Sequence, residues 1–162
     1  MYAPALFGFA RKSGAGLATE RGYWDEEKFF NVISNSNRET IETMRQLYEF
    51  SKKHAPKFRW GTGKVIGTFN FAARIDKRDL AIFTVTDFGA LDIAFGNMKG
   101  VVSHEILDAF RKELNRLPGV DLPEEVTTTE GRWRRIWTNS LIDEECFDIF
   151  TSAVKALMSS LS

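Results

Sequence analysis

The stretch of sequence that decides the fold runs from Phe58 to Met98 and reads FRWGTGKVIGTFNFAARIDKRDLAIFTVTDFGALDIAFGNM. It contains three runs rich in Phe, Ile, Val and Thr, which are Val65 to Ile75, Leu80 to Val85 and Leu91 to Phe95. The polar connectors between them, Asp76-Lys77-Arg78-Asp79 and Thr86-Asp87-Phe88-Gly89, are short enough for tight turns. Because a parallel crossover needs about a dozen residues or more, this spacing predicts antiparallel hairpins in a twisted sheet.

Amphipathic segments precede this stretch. Asp25 is a suitable N-cap for a short helix that is expected to end near Ile33. The sequence Ser36-Asn37-Arg38-Glu39 matches a capping box, and apolar residues follow it at helical spacing as far as Ala55-Pro56. Two helices are therefore expected before the sheet.

A third helix, one more strand and a last helix are expected after the sheet. Ser103 can cap the third helix, which Pro118-Gly119 closes. Arg132 to Trp137 is typical of a short strand, and Asn139 or Ser140 opens the last helix. The predicted fold class is α+β, with an antiparallel twisted sheet of about four to five strands packed against flanking helices, in the order α-α-β-β-β-β-α-β-α.

One folded domain is expected from the length and composition. The chain has 162 residues, a common length for one domain, and its content of 43% hydrophobic and 13% aromatic residues supports a packed core. Residues 1 to 22 show no helical or strand period and are predicted to be a tail or linker. The domain is therefore assigned to residues 23 to 162.

Charge, cysteine content and hydropathy bear on partners and location. Lys plus Arg and Asp plus Glu number 22 each, so no global field draws the protein to nucleic acid or to an anionic membrane. The single cysteine, Cys146, excludes an intrachain disulfide and suits a reducing compartment. No apolar run approaches the roughly 20 residues that span a bilayer, and Met1 to Ala10 lacks the positive flank of a signal peptide. A cytoplasmic protein without a membrane partner is expected.

Motifs that would indicate a familiar chemistry are incomplete. Gly61-Thr62-Gly63-Lys64 lacks the earlier glycine and the later Ser or Thr of a Walker A loop, so its glycines are expected to supply positive φ in a hairpin or bulge. His54 and His104 have no second ligand at metal spacing, and Cys146 lies on the apolar stripe of the last helix. No G-x-S-x-G elbow exists. The sequence therefore predicts no catalytic residues, no metal site and no cofactor.

One constellation combines cations with aromatic rings. Arg132-Trp133-Arg134-Arg135-Ile136-Trp137 interleaves arginines with indoles, and Lys57-Phe58-Arg59-Trp60 with Lys64 repeats this chemistry at the other side of the sheet. Guanidinium groups can bind phosphates, and indoles can stack on unpaired bases. The alternative is that the indoles are core residues and the arginines protect a sheet edge. The predicted binding rim, for nucleic acid or another partner, consists of Arg59, Trp60, Lys64, Arg132, Arg134 and Arg135.

Alternation along the last strand divides its side chains between two faces. In a strand, successive side chains point to opposite faces. Arg132, Arg134 and Ile136 are therefore expected to point one way, and Trp133, Arg135 and Trp137 the other. The rim would then offer cations on both faces of its strand.

The spacing of several glycines, prolines and aromatic residues resembles that of a protein family. The residues concerned are Trp60-Gly61-x-Gly63, Gly67-Thr68-Phe69, Phe83, Gly89-x-Leu91-x-Ile93-x-Phe95 and Leu114-Asn115-x-x-Pro118-Gly119-Val120-x-Leu122-Pro123. From about Trp24 to the C-terminus, this pattern is similar to a family of uncharacterised bacterial proteins, some of which look related to domains of unknown function found beside restriction-type nucleases. The resemblance implies a fold more than an activity, and the sequence lacks the Asp and Glu-x-Lys arrangement of such nucleases.

Three functional hypotheses follow from these patterns. The first is a small non-enzymatic binding module, with nucleic acid as one candidate partner at the rim. The second is a protein interaction or scaffold subunit, including a homodimer that uses Trp133, Trp137 or the apolar N-terminal tail. The third is an unrecognised enzyme, which would require a deep cleft that gathers Asp87, Asp92, Glu105 or His104.

Overall fold

Alternation of large apolar and small polar side chains produces the central sheet. The computed structural model describes residues 23–128 and 133–161, and their strands are β1 (Lys57–Trp60), β2 (Thr68–Ile75), β3 (Arg78–Thr86), β4 (Ala90–Ile93) and β5 (Arg134–Trp137). The α-helices are α1 (Glu26–Val32), α2 (Arg38–His54), α3 (Phe95–Met98), α4 (His104–Leu114) and α5 (Glu144–Leu161). Short 3-10 helices cover Ile33–Asn35, Glu124–Thr127 and Thr138–Leu141. The predicted α+β class is confirmed.

The five strands form one antiparallel meander in the order β1-β2-β3-β4-β5. Ile75 and Arg78 flank a two-residue turn in which Asp76 and Lys77 have φ values of 51° and 66°. Positive φ at both central positions is the requirement of a type I′ hairpin turn. Gly89, with φ of 90°, closes the connection from β3 to β4. Both predicted tight turns are therefore present.

One face of the sheet is covered by helices α1, α2 and α5. Phe69 packs on Phe29 of α1 with 5.4 Å between ring centroids, and Phe83 packs on Phe150 of α5 at 5.1 Å. Phe71 stacks between Phe83, at 5.1 Å, and Phe50 of α2, at 5.7 Å. All these phenylalanines except Phe50 are fully buried. Burial of each such ring stabilises the fold by roughly 1.5–3 kcal/mol, so this face contains the core.

One strand of the sheet ends earlier than predicted. The strand expected to continue through Phe95 stops at Ile93, because the chain turns there into α3, which begins at Phe95. The register between β2 and β3 shifts between Phe71 and Ala72. The shift is a β-bulge, which bends the strand pair locally.

Helix starts agree with the sequence at Asp25 and Ser103, which cap α1 and α4 through their side chains. The start of α2 is one residue later than the capping-box prediction, since the side chain of Asn37 accepts from the N–H of Thr40. The last helix was expected to open at Asn139 or Ser140. These residues lie in a 3-10 helix instead, and α5 begins at Glu144.

Buried residues from Trp24 to Leu157 belong to one hydrophobic cluster. The predicted tail, residues 1 to 22, lies outside the described residues, as does Arg132. None of the helices described is long and apolar enough to cross a membrane.

Candidate functional site

The residues of the predicted binding rim lie at opposite edges of the sheet. Arg59 and Trp60 belong to β1, and Arg134 and Arg135 belong to β5, which are the first and last strands of the meander. Four spacings between neighbouring strands separate these edges, a distance of roughly 19 Å. The structure therefore brings together Arg134 and Arg135 but not the two halves of the rim.

At the β1 edge, the tryptophan has a packing role. The half-buried ring of Trp60 lies 5.6 Å from the ring of Tyr48 and 5.4 Å from that of Phe58. Arg59 is exposed and has no ion pair among the residues that the structure describes, and Lys64 is exposed in the loop after β1. The cations at this edge are therefore exposed, whereas its indole packs against other aromatic rings.

Gly61, in the loop between β1 and β2, provides space rather than positive φ. Among the described residues, the left-handed glycines are Gly89, Gly100 and Gly119, so the expectation for Gly61 and Gly63 was wrong. A Cβ on Gly61 would lie 1.9 Å from the hydroxyl oxygen of Thr68. Close approach of neighbouring atoms explains glycine at this position.

A polar row crosses the sheet face opposite the helices. Its members are register partners on successive strands, in the order Arg59, Asn70, Thr84, Asp92 and Arg135. The hydroxyl of Thr84 donates to Asn70, and Arg135 donates to Asp92 from Nε at 2.8 Å and from Nη2 at 3.1 Å. These contacts satisfy the polar groups of the face by bonds between strands.

Two exposed rings flank the β5 end of this row. Phe88 and Trp137 are 47% and 48% exposed, and their ring centroids lie 6.3 Å apart. The guanidinium carbon of Arg135 lies 5.1 Å from the centroid of Phe88 and 5.6 Å from that of Trp137. The hydrogen bonds that Arg135 donates to Asp92 raise the pKa of Arg135. This aromatic cluster, Phe88, Arg135 and Trp137, is a preformed contact surface whose cation is already paired.

A groove of about 470 Å³ runs beside β5, between residues 133–137 on one side and residues 119–123 on the other. Arg134 lines this groove, which is here named the β5 groove. Its side chain is half-buried, and Nε is shielded from solvent and has no hydrogen-bond partner. Trp133, 43% exposed, stands beside it.

The wall opposite β5 is held by a polar network. The side chain of Asn115 accepts from the N–H of Leu122 at 2.7 Å and donates to the carbonyl of Leu122 at 3.0 Å. Arg111 donates to the same carbonyl at 2.9 Å and to Asp108 at 2.9 Å. Ser140 donates to the carbonyl of Pro118 at 3.0 Å. The groove is therefore bounded by a fixed loop.

The residues named for an enzyme have separate partners. Asp87 accepts from the N–H of Gly67 at 2.7 Å, and Asp92 is paired with Arg135. Nδ1 of His104 lies 3.2 Å from the hydroxyl of Thr127, and Glu105 lines a separate apolar groove between α4 and α5. Among the described residues, no group of three or more His, Cys, Asp or Glu could hold a metal ion.

Cys146 has the environment of a weakly reactive thiol. It is a free cysteine, half-buried beside the core. Burial, and then the charges of Asp143 and Glu145, raise the pKa of the thiol. A raised pKa reduces the fraction of reactive thiolate at neutral pH.

In comparisons with known proteins, no family model matches the chain, and no significant match is found among curated proteins or solved structures. The relation to domains found beside restriction-type nucleases therefore stays a prediction.

Several residues in or beside the β5 groove and the aromatic cluster were not assigned to the binding rim from the sequence. Trp133 and Trp137 were considered as indoles that could stack on bases and as dimer contacts but were left out of the rim, and Phe88, Asp121 and Asn115 were not assigned to a site. Asn115 and Leu122 both occur in the spacing pattern that carries the family resemblance. Their mutual hydrogen bonds explain why such a pattern would combine these two residues.

Proposed function

We propose that the protein is a binding module whose site is the open edge of β5 together with the β5 groove, and that its partner is a protein segment in extended conformation. The observation that carries this proposal is the pair of exposed indoles, Trp133 and Trp137, beside an edge strand and a fixed groove. Trp and Arg are the residue types that most often dominate the energy of protein interfaces.

Backbone groups support an extended partner. Within the described residues, β5 pairs with β4 alone, so its other edge has unpaired N–H and C=O groups. A partner strand can pair with such an edge and place alternate side chains into neighbouring pockets. The groove beside β5 lies where those side chains would be placed.

The opposite edge lacks these features. Strand β1 is equally short, but Phe58 and Trp60 on it pack against each other and against Tyr48. Its exposed side chains are Lys57 and Arg59, which form no ion pair with the described residues and so oppose pairing with another chain, whereas the exposed Arg135 on β5 is paired with Asp92. The site is therefore assigned to β5 rather than to β1.

Charge favours a protein partner over nucleic acid. Affinity for nucleic acid depends on cations that neutralise several phosphates. At the β5 edge, Arg135 is neutralised by Asp92, which leaves Arg134 as the unpaired cation among the described residues of this strand, and the exposed Arg59 lies at the far edge. The net formal charge of the chain is zero. An interface rich in aromatic rings requires no such excess of positive charge.

The test is selection of displayed peptides on the intact protein, followed by affinity measurements on variants. Replacement of Trp133 and Trp137 by Ala should lower the affinity for the selected peptides by about thirtyfold, which is the effect of losing an interface hot spot. The matched control is Arg59→Ala, on the other edge strand, which should leave affinity unchanged. Amide chemical-shift changes should centre on residues 134–137. The proposal would be refuted if no peptide were enriched. It would also be refuted if Arg59→Ala weakened peptide binding as much as replacement of the two tryptophans.

Single-stranded nucleic acid is a second candidate, which the exposed rings of Phe88 and Trp137 favour. Bases could stack on these rings, each stack being worth about 1–3 kcal/mol. The test is quenching of tryptophan fluorescence by an oligothymidylate at increasing salt. Salt-sensitive quenching that Arg132→Glu with Arg134→Glu weakens would support this candidate, and an unchanged spectrum would exclude it.

A further inference from the structure

The guanidinium of Arg134 is a partly buried cation without an acceptor. Its Nε is shielded from solvent and unpaired, and the side chain forms no ion pair with any residue in the ranges 23–128 and 133–161. A buried donor without a hydrogen-bond partner is unfavourable, and buried polar groups in folded proteins are usually paired. Arg134 lines the β5 groove, so an acceptor from outside the chain would contact its guanidinium at the Nη groups rather than at the shielded Nε.

We propose that Arg134 is the subsite for a carboxylate, so that the β5 groove recognises an extended segment that carries an Asp or Glu side chain. This inference rests on the proposed function and names the chemistry of the partner. A planar guanidinium can hold a carboxylate through two parallel N–H to oxygen bonds. The Nη groups of Arg134 form no hydrogen bond with the described residues and can make that contact.

The other charged residues of the β5 groove direct an anion to Arg134. Of the two arginines among its lining residues, Arg135 already donates two hydrogen bonds to Asp92. The carboxylate of Asp121 also lines the groove, but it is exposed and forms no ion pair with Arg134. Asp121 therefore weakens binding of an anion in the groove by like charge and provides a control.

The loop on the other side of the β5 groove is fixed, so binding of a carboxylate should cause little conformational change. Leu122 is fixed by Asn115 and Arg111 through its backbone. Since this loop is held before any partner arrives, the carboxylate would enter a preformed site and would not have to order it. The contact with Arg134 would then add specificity rather than a conformational change.

The first test uses small anions and does not depend on any peptide partner. Titration with sodium acetate, at ionic strength held constant with sodium chloride, is followed by NMR of the arginine Nε–H groups. The Arg134 signal should shift and saturate, while the Arg135 signal should not. Asp121→Asn should strengthen acetate binding several-fold, because a like charge is removed. Arg134→Gln should abolish the saturable shift.

Two outcomes of this titration would overturn the inference. One is an Arg134 signal that responds equally to acetate and to chloride. The other is saturation with inorganic phosphate but not with acetate, which would indicate a phosphorylated or nucleic-acid partner instead of a carboxylate. Either result leaves selection of peptides at β5 possible, so failure of the inference is distinct from failure of the proposed function.

The second test uses a selected peptide. Replacement of its Asp or Glu by the amide should weaken binding to the wild-type protein by about tenfold or more, the usual effect of a hydrogen bond to a charged group. The same replacement should have no effect on binding to the Arg134→Gln variant. Equal losses on both proteins would contradict a contact between the carboxylate and Arg134.

Discussion

Arg135 on β5 donates two hydrogen bonds to Asp92 on β4, its direct register partner, at 2.8 and 3.1 Å. This pair joins the last strand to the meander on the face opposite the helices. Asp92 is 18% exposed and Arg135 is 45% exposed, so solvent screens the interaction only in part. The two hydrogen bonds also hold the guanidinium of Arg135 near Phe88 and Trp137.

A double-mutant cycle should measure the coupling free energy between Asp92 and Arg135. We expect Asp92→Ala and Arg135→Ala to be coupled by about 0.5–1 kcal/mol in the free energy of unfolding, the upper range for a partly exposed bidentate pair. Chemical denaturation at low salt gives the four values that are needed. The matched cycle on Arg74 and Asp79, which are joined by one bond at 3.0 Å, should give a smaller coupling. Equal couplings would show that bidentate geometry adds nothing here.

Gly67 is packed against the indole of Trp24. A Cβ at Gly67 would lie 2.8 to 3.0 Å from three atoms of that ring, and the ring is held because its Nε1 donates to the carbonyl of Gly63 at 2.6 Å. Gly67→Ala should therefore destabilise the fold by about 1–3 kcal/mol through overpacking. Gly63→Ala is the control, because its nearest atom would be 3.5 Å away. Thermal unfolding of both variants tests the difference, and similar midpoints would contradict it.

The turn between β2 and β3 has two non-glycine residues in the left-handed region. Asp76 has φ of 51° and Lys77 has φ of 66°. A side chain in the left-handed region costs roughly 1–2 kcal/mol. Glycine removes this cost but increases the entropy of the unfolded chain. Lys77→Gly should therefore raise the free energy of unfolding by up to about 1 kcal/mol. Lys77→Ala keeps the steric conflict and should change little. Stabilisation of both variants by the same amount would argue against relief of backbone strain.

His54 should make stability depend on pH. Burial, followed by the charges of Lys155 and Lys53, lowers its pKa below the ordinary value of 6.5. As the pH falls below 6.5, the unfolded chain takes up a proton before the folded chain does, and stability falls through that window down to the folded pKa.

The test of this dependence is a urea midpoint measured from about pH 7.5 to about pH 5. His54→Gln should flatten the curve in this window. Lys155→Met removes one nearby positive charge and should reduce the loss in part. A midpoint curve that His54→Gln leaves unchanged would assign the pH dependence to other groups.

Local signals explain the part of the fold that could be predicted from sequence. Asp25 and Ser103 cap their helices as expected, because capping depends on a side chain and an N–H three residues away. The turns at Asp76-Lys77 and before Gly89 are likewise encoded by neighbouring residues. Short-range patterns therefore predicted the meander.

Long-range pairing explains what could not be predicted. Asp92 and Arg135 are 43 residues apart, and no local rule gives their register. The sequence also could not show that the two halves of the rim belong to opposite edge strands, which follows from the strand order alone. The groove at Arg134 is bounded by the loop at Leu122, which a hydrogen bond to the side chain of Asn115 fixes. A binding role for the predicted rim residues therefore stays a prediction. Of the two edges of the sheet, β5 is the one with a groove and exposed indoles beside it.

The meander also determines the order in which the sheet can be completed during synthesis. When a ribosome has released residues up to Met98, strands β1 to β4 can pair as successive hairpins, because each lies next to its partner in sequence. The free edge of the nascent chain is then β4, with apolar Leu91 and Ile93 still without their neighbours on β5. Translation of roughly 40 further residues is needed before β5 covers that edge. The last strand thus covers the exposed edge of a growing sheet, and its own outer edge is the one that the proposed function assigns to a partner.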